Sequence, residues 1–309
     1  MHVIHGYDHV PANARGCVLA IGNFDGVHRG HQALLRLARD AGKLLKAPAG
    51  VIVFEPHPRA FFQPARPHFT LTPLPEKLAL LERYGMAVTV VLGFDQRFAA
   101  LSAADFVERV LVAGLGVRHI VVGYDFHYGK ARTGTPATLV KAGGDLAFGV
   151  TIVEQVADQG EIVSSSAIRA ELAQGDIIGA NALLGHRWRV SGPVVSGAKR
   201  GTGMGYPTAN VKLGKGTALA HGIYAVIVDV HGERHQGAAY LGTRPTFDHG
   251  EVLLETFLLD FDTDLYGREI AIEFVDFIRA DRKFDSSEAL VAQMDRDVAQ
   301  VRRVLASMI

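Results

Sequence analysis

The chain has 309 residues, 48% hydrophobic and 21% charged, which suffices for two ordinary domains with buried cores and argues against disorder. Its formal net charge of +0 provides no basic face for a nucleic acid, although a nucleotide needs only a few local donors. Cys17 is the only cysteine, so an internal disulfide and a cysteine-rich zinc site are both excluded.

In chain order, Gly16 to Ile21 is a short apolar run that ends in Gly22-Asn23-Phe24-Asp25-Gly26, a strand followed by a loop. From Gly30 the residues Leu34, Leu35 and Ala38 fall on helical spacing. A strand is predicted over Ala49 to Phe54, a helix over Pro75 to Tyr84 and a strand over Ala87 to Leu92. A helix over Ala103 to Leu111 has Ser102 as its cap, and a further strand covers Val117 to Val122. Repeated units of this kind predict a parallel sheet covered by helices, with ligands bound beyond the carboxyl ends of the strands. The polar segments 22–31, 55–59 and 123–134 all follow predicted strands and are expected to meet at that edge.

The second half changes character. Short β-rich runs cover Arg187 to Val195, Ile223 to Val230, Gln236 to Leu241, Leu253 to Leu259 and Ile270 to Phe277, with turn residues between them. An antiparallel barrel is expected, closed by an amphipathic helix over Ser286 to Leu305. The domain boundary is placed near 184–186, giving domains 1–185 and 186–309.

Two constellations carry chemistry. In the first, His28-Arg29-Gly30-His31 begins a helix directly after a strand, so both imidazoles can share one face. Gly30 lets a phosphate approach the backbone, and the helix N-terminal N–H groups favour anions. Two such donors suit the charge that develops at an α-phosphate when pyrophosphate leaves. The alternatives are plain surface histidines, of which the chain has 14 in all, and a two-histidine metal site, for which no third ligand is evident. In the second, Gly197-Ala198-Lys199-Arg200-Gly201-Thr202-Gly203-Met204-Gly205 precedes Pro207-Thr208-Ala209-Asn210. It fits neither the P-loop nor the dinucleotide fingerprint, yet glycine backbone with two cations can fold over phosphates.

The first half resembles the nucleotidyltransferases with a His-x-Gly-His signature, and more narrowly the bacterial FAD synthetases. The resemblance runs through Phe54-Glu55-Pro56-His57-Pro58-Arg59, Leu71-Thr72-Pro73 leading to Glu76-Lys77, Val122 to Gly129, and Val163-Ser164-Ser165-Ser166-Ala167-Ile168-Arg169. It implies a Rossmann-like α/β fold, with His28 and His31 catalytic and Gly22, Phe24, Asp25, Gly30, Asp125, Ser165, Ser166 and Arg169 binding nucleotide. Tyr124, His127 and Tyr128 stand at variable positions; the last two commonly hold Arg and Phe in the family.

The second half is similar to riboflavin kinases. The strings are Pro207-Thr208-Ala209-Asn210, Gly222 to Ala225, Leu241-Gly242-Thr243-Arg244-Pro245-Thr246-Phe247 and Leu254 to Phe261. This resemblance implies Mg²⁺ and ATP held by Thr208 and Asn210, further nucleotide contacts from Gly197, Lys199, Gly203 and Gly205, and Glu255 as the base. Flavin contacts are implied for Phe62, Tyr128, Arg279 and Phe284. Tyr240 stands where Asn is usual and Asp281 where Glu is usual.

Taken together, the resemblances imply a bifunctional enzyme that uses ATP to convert riboflavin to FMN and FMN to FAD. The rivals are a chain that retains one of the two activities and a non-catalytic flavin-binding regulator. No basic excess points to nucleic acid, and the longest uncharged apolar run, Tyr84 to Phe94, is short of the ~18–20 residues a membrane span needs. Met1 to Val10 has no signal-peptide core. A cytoplasmic protein, monomeric or weakly self-associating, is expected.

Overall fold

The structure, a computed structural model, describes residues 1–155, 157–158, 161–196, 206–214, 216–242 and 252–306. Residues pack into two compact units, Met1–Pro67 with Pro73–Ser164, and His68–Thr72 with Ser165–Ile309.

The first unit is built on six parallel strands: β1 (His2–His5), β2 (Val18–Ile21), β3 (Ala49–Glu55), β4 (Val88–Gly93), β5 (His119–Gly123) and β6 (Gly149–Val153). Their order is β1-β4-β3-β2-β5-β6. The inner strands β2, β3 and β4 are almost wholly buried because both faces are covered, which is why they read as unbroken apolar runs. Leu19, Ile21, Ile52, Val90 and Ile120 face one core cluster, and Val18, Ala20, Val51, Val53 and Val121 face the other. Helices α1 (Arg29–Leu45) and α3 (Leu74–Arg83) cover the second face through Leu35, Ala38, Leu80 and Leu81. The short helices α2 (Pro58–Phe62) and α4 (Gln96–Ala99) follow β3 and β4.

The predicted helix over Ala103 to Leu111 begins as α5 (Ala103–Asp105) and widens into a π-helical stretch, Phe106–Gly114. Its cap is the expected one: Ser102 Oγ accepts the Asp105 N–H at 3.0 Å. The outer strands β1 and β6 and helix α6 (Pro136–Asp145), on which the sequence reading made no assignment, complete this unit. The two-residue strands β7 (Ala157–Asp158) and β8 (Glu161–Ile162) pair antiparallel.

The second unit holds α7 (Ser165–Gln174), α8 (Ile177–Leu184), β9 (Arg189–Val195), β10 (Ala209–Lys212), β11 (Gly222–Val230), β12 (Glu233–Leu241), β13 (Leu253–Leu258), β14 (Glu269–Ala280) and α9 (Ser287–Leu305). Six antiparallel strands close a barrel in the order β10-β13-β12-β11-β14-β9. Tyr224, Val226, Val228, Leu254, Leu258 and Phe274 are buried on alternate positions and fill its interior. On the opposite surface Ala225, Ile227, Leu259 and Val275 pack against Val301 and Leu305 of α9. Ser286 caps α9 by accepting the Ala289 N–H at 3.1 Å. The expected barrel and terminal helix are therefore present. Strand β10 is an addition: its four residues, Ala-Asn-Val-Lys, are too few to show an alternation.

Helices α7 and α8 pack with the barrel. Asn181 of α8 donates to the Phe274 carbonyl at 3.0 Å and accepts the Trp188 N–H at 2.7 Å. Fragment 187–309 lacks that residue, so it should unfold at a lower temperature than fragment 165–309. Losing two half-buried hydrogen bonds of about 1 kcal/mol each corresponds to several degrees in a domain of this size. Equal melting of the two fragments would show that the helices add nothing. No helix among the described residues is long and apolar enough to cross a membrane.

Candidate active sites

The strand order reverses beside β2, whose neighbours are β3 and β5, so the loop after β2 lies at the topological switch point of the sheet. This loop is tightly wound. Phe24, Gly26 and Val27 have φ of 48, 89 and 43°, a left-handed region that a branched residue such as valine rarely adopts. Phe24 and Val27 are fully buried, and burying two such side chains, at roughly 1.5–3 kcal/mol each, offsets the backbone cost.

The loop delivers His28 to the N-cap of α1, where its Nδ1 accepts the His31 N–H at 3.3 Å. The two imidazoles stack at 3.6 Å between centroids, 19° from parallel, and Phe24 supports His31 at 5.1 Å. A Cβ on residue 30 would lie 3.1 Å from the His28 ring, so any larger residue would press on the stack as well as cover the backbone. Burial, then repulsion from His28 and Lys77, holds the His31 pKa well below its ordinary value. Neutral His31 keeps one N–H and one lone pair, and its buried Nδ1 has no hydrogen-bond partner among the described residues.

Lys77 is the residue to which the sequence reading gave no role. It is 3% exposed on α3, facing the carboxylates of Asp25 and Glu55, which oppose the lowering of its pKa by burial. The available signal was a cation at a core-facing position, three residues after Leu74 and four before Leu81.

The remaining candidates of this half are dispersed. Gly22 follows β2 and Asp25 is buried, whereas Asp125 is exposed beyond β5. Phe62, 64% exposed, presents its ring to solvent and is held edge-on by Phe61 at 5.2 Å and Phe94 at 5.6 Å. Tyr128 is buried, stacked on Phe126 at 5.6 Å and tilted against Phe106 at 5.3 Å, with its hydroxyl 3.2 Å from Thr138. His127 Nδ1 lies 2.8 Å from the Asp125 carbonyl oxygen. In the second unit, α7 begins at Ser165, with Ser166 exposed. Arg169 donates to the carbonyls of Phe69 at 2.6 Å and Ser165 at 3.1 Å, which fastens the segment 68–72 to α7.

In the barrel one row of residues joins the candidates. Val195 pairs with Asn210, Asn210 with Glu255, Glu255 with Tyr240, Tyr240 with Ile223, and Ile223 with Arg279. Tyr240 and Ile223 alternate with inward Ala239 and Tyr224, so the row lies on the outer surface of the barrel. Asn210 is 4% exposed and its amide donates to the Thr208 carbonyl at 3.3 Å. Arg279 is fixed by Asp297 of α9, with Nη2 at 2.6 Å and Nε at 2.9 Å from the carboxylate. Its guanidinium carbon lies 5.8 Å over the Phe284 ring. Tyr206, just before Pro207-Thr208, packs edge-on to Phe257 and donates to Asp295; burial first and then that carboxylate push its pKa up to about 12. Gly197, Lys199, Gly203, Gly205 and residues 243–247 lie outside the described residues.

Fold and sites together describe a two-unit nucleotide-handling protein, with a histidine pair at the switch point of an α/β sheet and a carboxylate–amide pair on a barrel. The family model described as FAD synthetase matches residues 10–167, and that described as riboflavin kinase matches 184–305. A bifunctional riboflavin kinase/FMN adenylyltransferase from Pseudomonas fluorescens is 41% identical, over 99% of this chain and 98% of its own length. The enzymes of that name from Escherichia coli K12 and Bacillus subtilis are 41% and 35% identical, over 97% and 100% of this chain and 95% and 98% of their own. The chain belongs to the bifunctional riboflavin kinase/FMN adenylyltransferase family. A crystal structure from Streptococcus pneumoniae described as a macrolide-efflux protein superposes with a TM-score of 0.84 at 30% identity, covering 98% of this chain and 99% of that one.

Proposed function

We propose that the chain makes both flavin nucleotides: residues 186–309 transfer the γ-phosphoryl group of ATP to riboflavin, and residues 1–185 transfer the adenylyl group of a second ATP to FMN. One observation carries the reading: each half has its own candidate set, the stacked His28–His31 pair on α1 and the cross-strand Asn210–Glu255 pair on the barrel. A chain with one activity would have no use for the second set. The name of the pneumococcal structure suggests transport, but no helix among the described residues here is long and apolar enough to cross a membrane.

In adenylyl transfer an FMN phosphate oxygen bonds to the α-phosphorus of ATP as the bond to the β-phosphate oxygen breaks and pyrophosphate leaves. His28 and His31 stabilise the charge that accumulates on the α-phosphate oxygens, and the helix N-terminal amides add to that field. Lys77, balanced by Asp25 and Glu55, adds positive potential behind the pair. Gly22, Phe24, Gly30 and Asp125 shape the cradle, and the exposed ring of Phe62 stacks on the isoalloxazine.

In the kinase, Glu255 accepts the proton of the ribityl 5′-hydroxyl as that oxygen bonds to the γ-phosphorus and ADP leaves. Arg279 and Phe284 hold the flavin. The hydroxyl of Thr208 and the amide oxygen of Asn210 are hard donors, and no group of three His, Cys, Asp or Glu among the described residues could hold a metal without help. Such a sparse oxygen set fits Mg²⁺, which keeps waters and shares phosphate oxygens, and when bound it supplies charge neutralisation between the phosphates. The glycine segment with Gly197, Lys199, Gly203 and Gly205 is assigned to the same ATP.

Balanced charge supports small molecules rather than nucleic acid as partners, and the enzyme is assigned to the cytoplasm as a monomer or weak self-associator. Incubation with riboflavin, ATP and Mg²⁺ should yield FMN and then FAD, resolved by chromatography, and chelation with EDTA should stop FMN formation. A product mixture that never contains FAD would leave a kinase alone, and no product at all would favour a flavin-binding regulator.

A further inference from the structure

Tyr240 lies between the two residues of the barrel row that have assigned roles on either side, Glu255 on β13 and, across Ile223, Arg279 on β14. Its hydroxyl donates to Asp281 Oδ1 at 3.1 Å. Asp281 directly follows β14 and is itself anchored, its N–H bonding to the His221 carbonyl at 3.1 Å. The phenol therefore bridges from the middle of the row to the end of the strand that carries Arg279. On its other side the ring lies against Gly242, where any Cβ would collide with the Tyr240 hydroxyl and ring carbons. Tyr240 and Asp281 are the two kinase positions at which this sequence departs from its resemblance, and they are each other's partners. The longer donor is matched by the shorter carboxylate, so the pair reads as one unit.

The chemistry of the bridge is directional. A phenol has one proton, and here a carboxylate holds it, so the oxygen's remaining capacity is as an acceptor. Ribityl hydroxyls are donors in just that sense. We infer that Tyr240, oriented by Asp281, binds the acceptor substrate by receiving a hydroxyl of its polyol side chain. The inference rests on the reading of Glu255 as the base. It assigns the bridge to the flavin and not to ATP, because Tyr240 lies on the Arg279 side of Glu255 and Asn210 on the other.

The test uses the full chain and steady-state FMN formation with riboflavin and ATP varied separately. Tyr240→Phe and Asp281→Ala, which remove the phenol oxygen and its acceptor, should each raise the riboflavin KM by about fivefold, the loss expected for a hydrogen bond between neutral groups. kcat and the ATP KM should stay within about twofold of wild type, which also shows that the barrel is folded. The double variant should be no worse than the poorer single one, since a unit is lost only once. Riboflavin fluorescence quenching on binding supplies the same comparison without turnover. An unchanged riboflavin KM, an ATP KM that rises in step, or a double variant equal to the product of the singles would overturn the inference. Failure of the Glu255 reading is a separate result: Glu255→Gln would then leave kcat unchanged, while the riboflavin KM of Tyr240→Phe would still be measurable.

Discussion

Replacing both His28 and His31 with Ala should lower FAD formation from added FMN by at least about 10³-fold, because removal of even one donor from a developing anion typically costs ~10²–10³ in rate. FMN formation should stay within about twofold, since its candidate residues lie in the other unit. The loss should fall on turnover more than on ATP affinity, because the assigned charge develops only in the transition state. His28 also caps α1, so its Ala variant loses a cap worth about 1 kcal/mol along with its imidazole. His28→Asn separates the two effects: asparagine caps well but cannot restore the stacked ring. If His28→Asn made FAD at the wild-type rate, the imidazole would have no part in the chemistry and His28 would be a cap only.

The second large effect is expected at Glu255. Glu255→Gln should reduce FMN formation by roughly 10²–10⁴ and leave FAD formation from added FMN intact, because an alcohol is a poor nucleophile at neutral pH and a general base contributes about that much. Glutamine preserves shape and hydrogen bonding beside Asn210 and Tyr240 while removing basicity. Phosphoryl transfer through a loose transition state demands little of a base. A small loss in Gln with a large one in Glu255→Ala would therefore identify positioning as the main contribution. Full FMN formation in both variants would remove Glu255 from the mechanism.

The elements read from the sequence are those whose pattern repeats within a few residues. The runs at Ala49 to Phe54 and Ile223 to Val230, and the amphipathic α9, each announce a face or a burial state without outside help. The placement of the histidine pair was legible for the same reason: His28, Gly30 and His31 lie within four residues at one helix start. Lys77 was not, since its partners Asp25 and Glu55 come from other elements and its own helix offers only a cation where a leucine would be unremarkable. Strand β10 escaped because it is short and its register is set by β9 and β13.

By itself the sequence determined the two-part architecture, the loop–helix junction that carries the histidines, and the residue types available for phosphate, flavin and proton transfer, all consequences of local spacing and side-chain chemistry. Only the tertiary structure decided which distant residues meet. It aligned Asn210, Glu255, Tyr240 and Arg279 in one row, because barrel closure fixes strand register over residues far apart in the chain. It buried Tyr128 between Phe106 and Phe126, and it joined the segment 68–72 to α7 through Arg169. It also paired Tyr240 with Asp281, two departures separated by forty-one positions whose compatibility appears only when β12 and the end of β14 are brought to the same edge of the barrel.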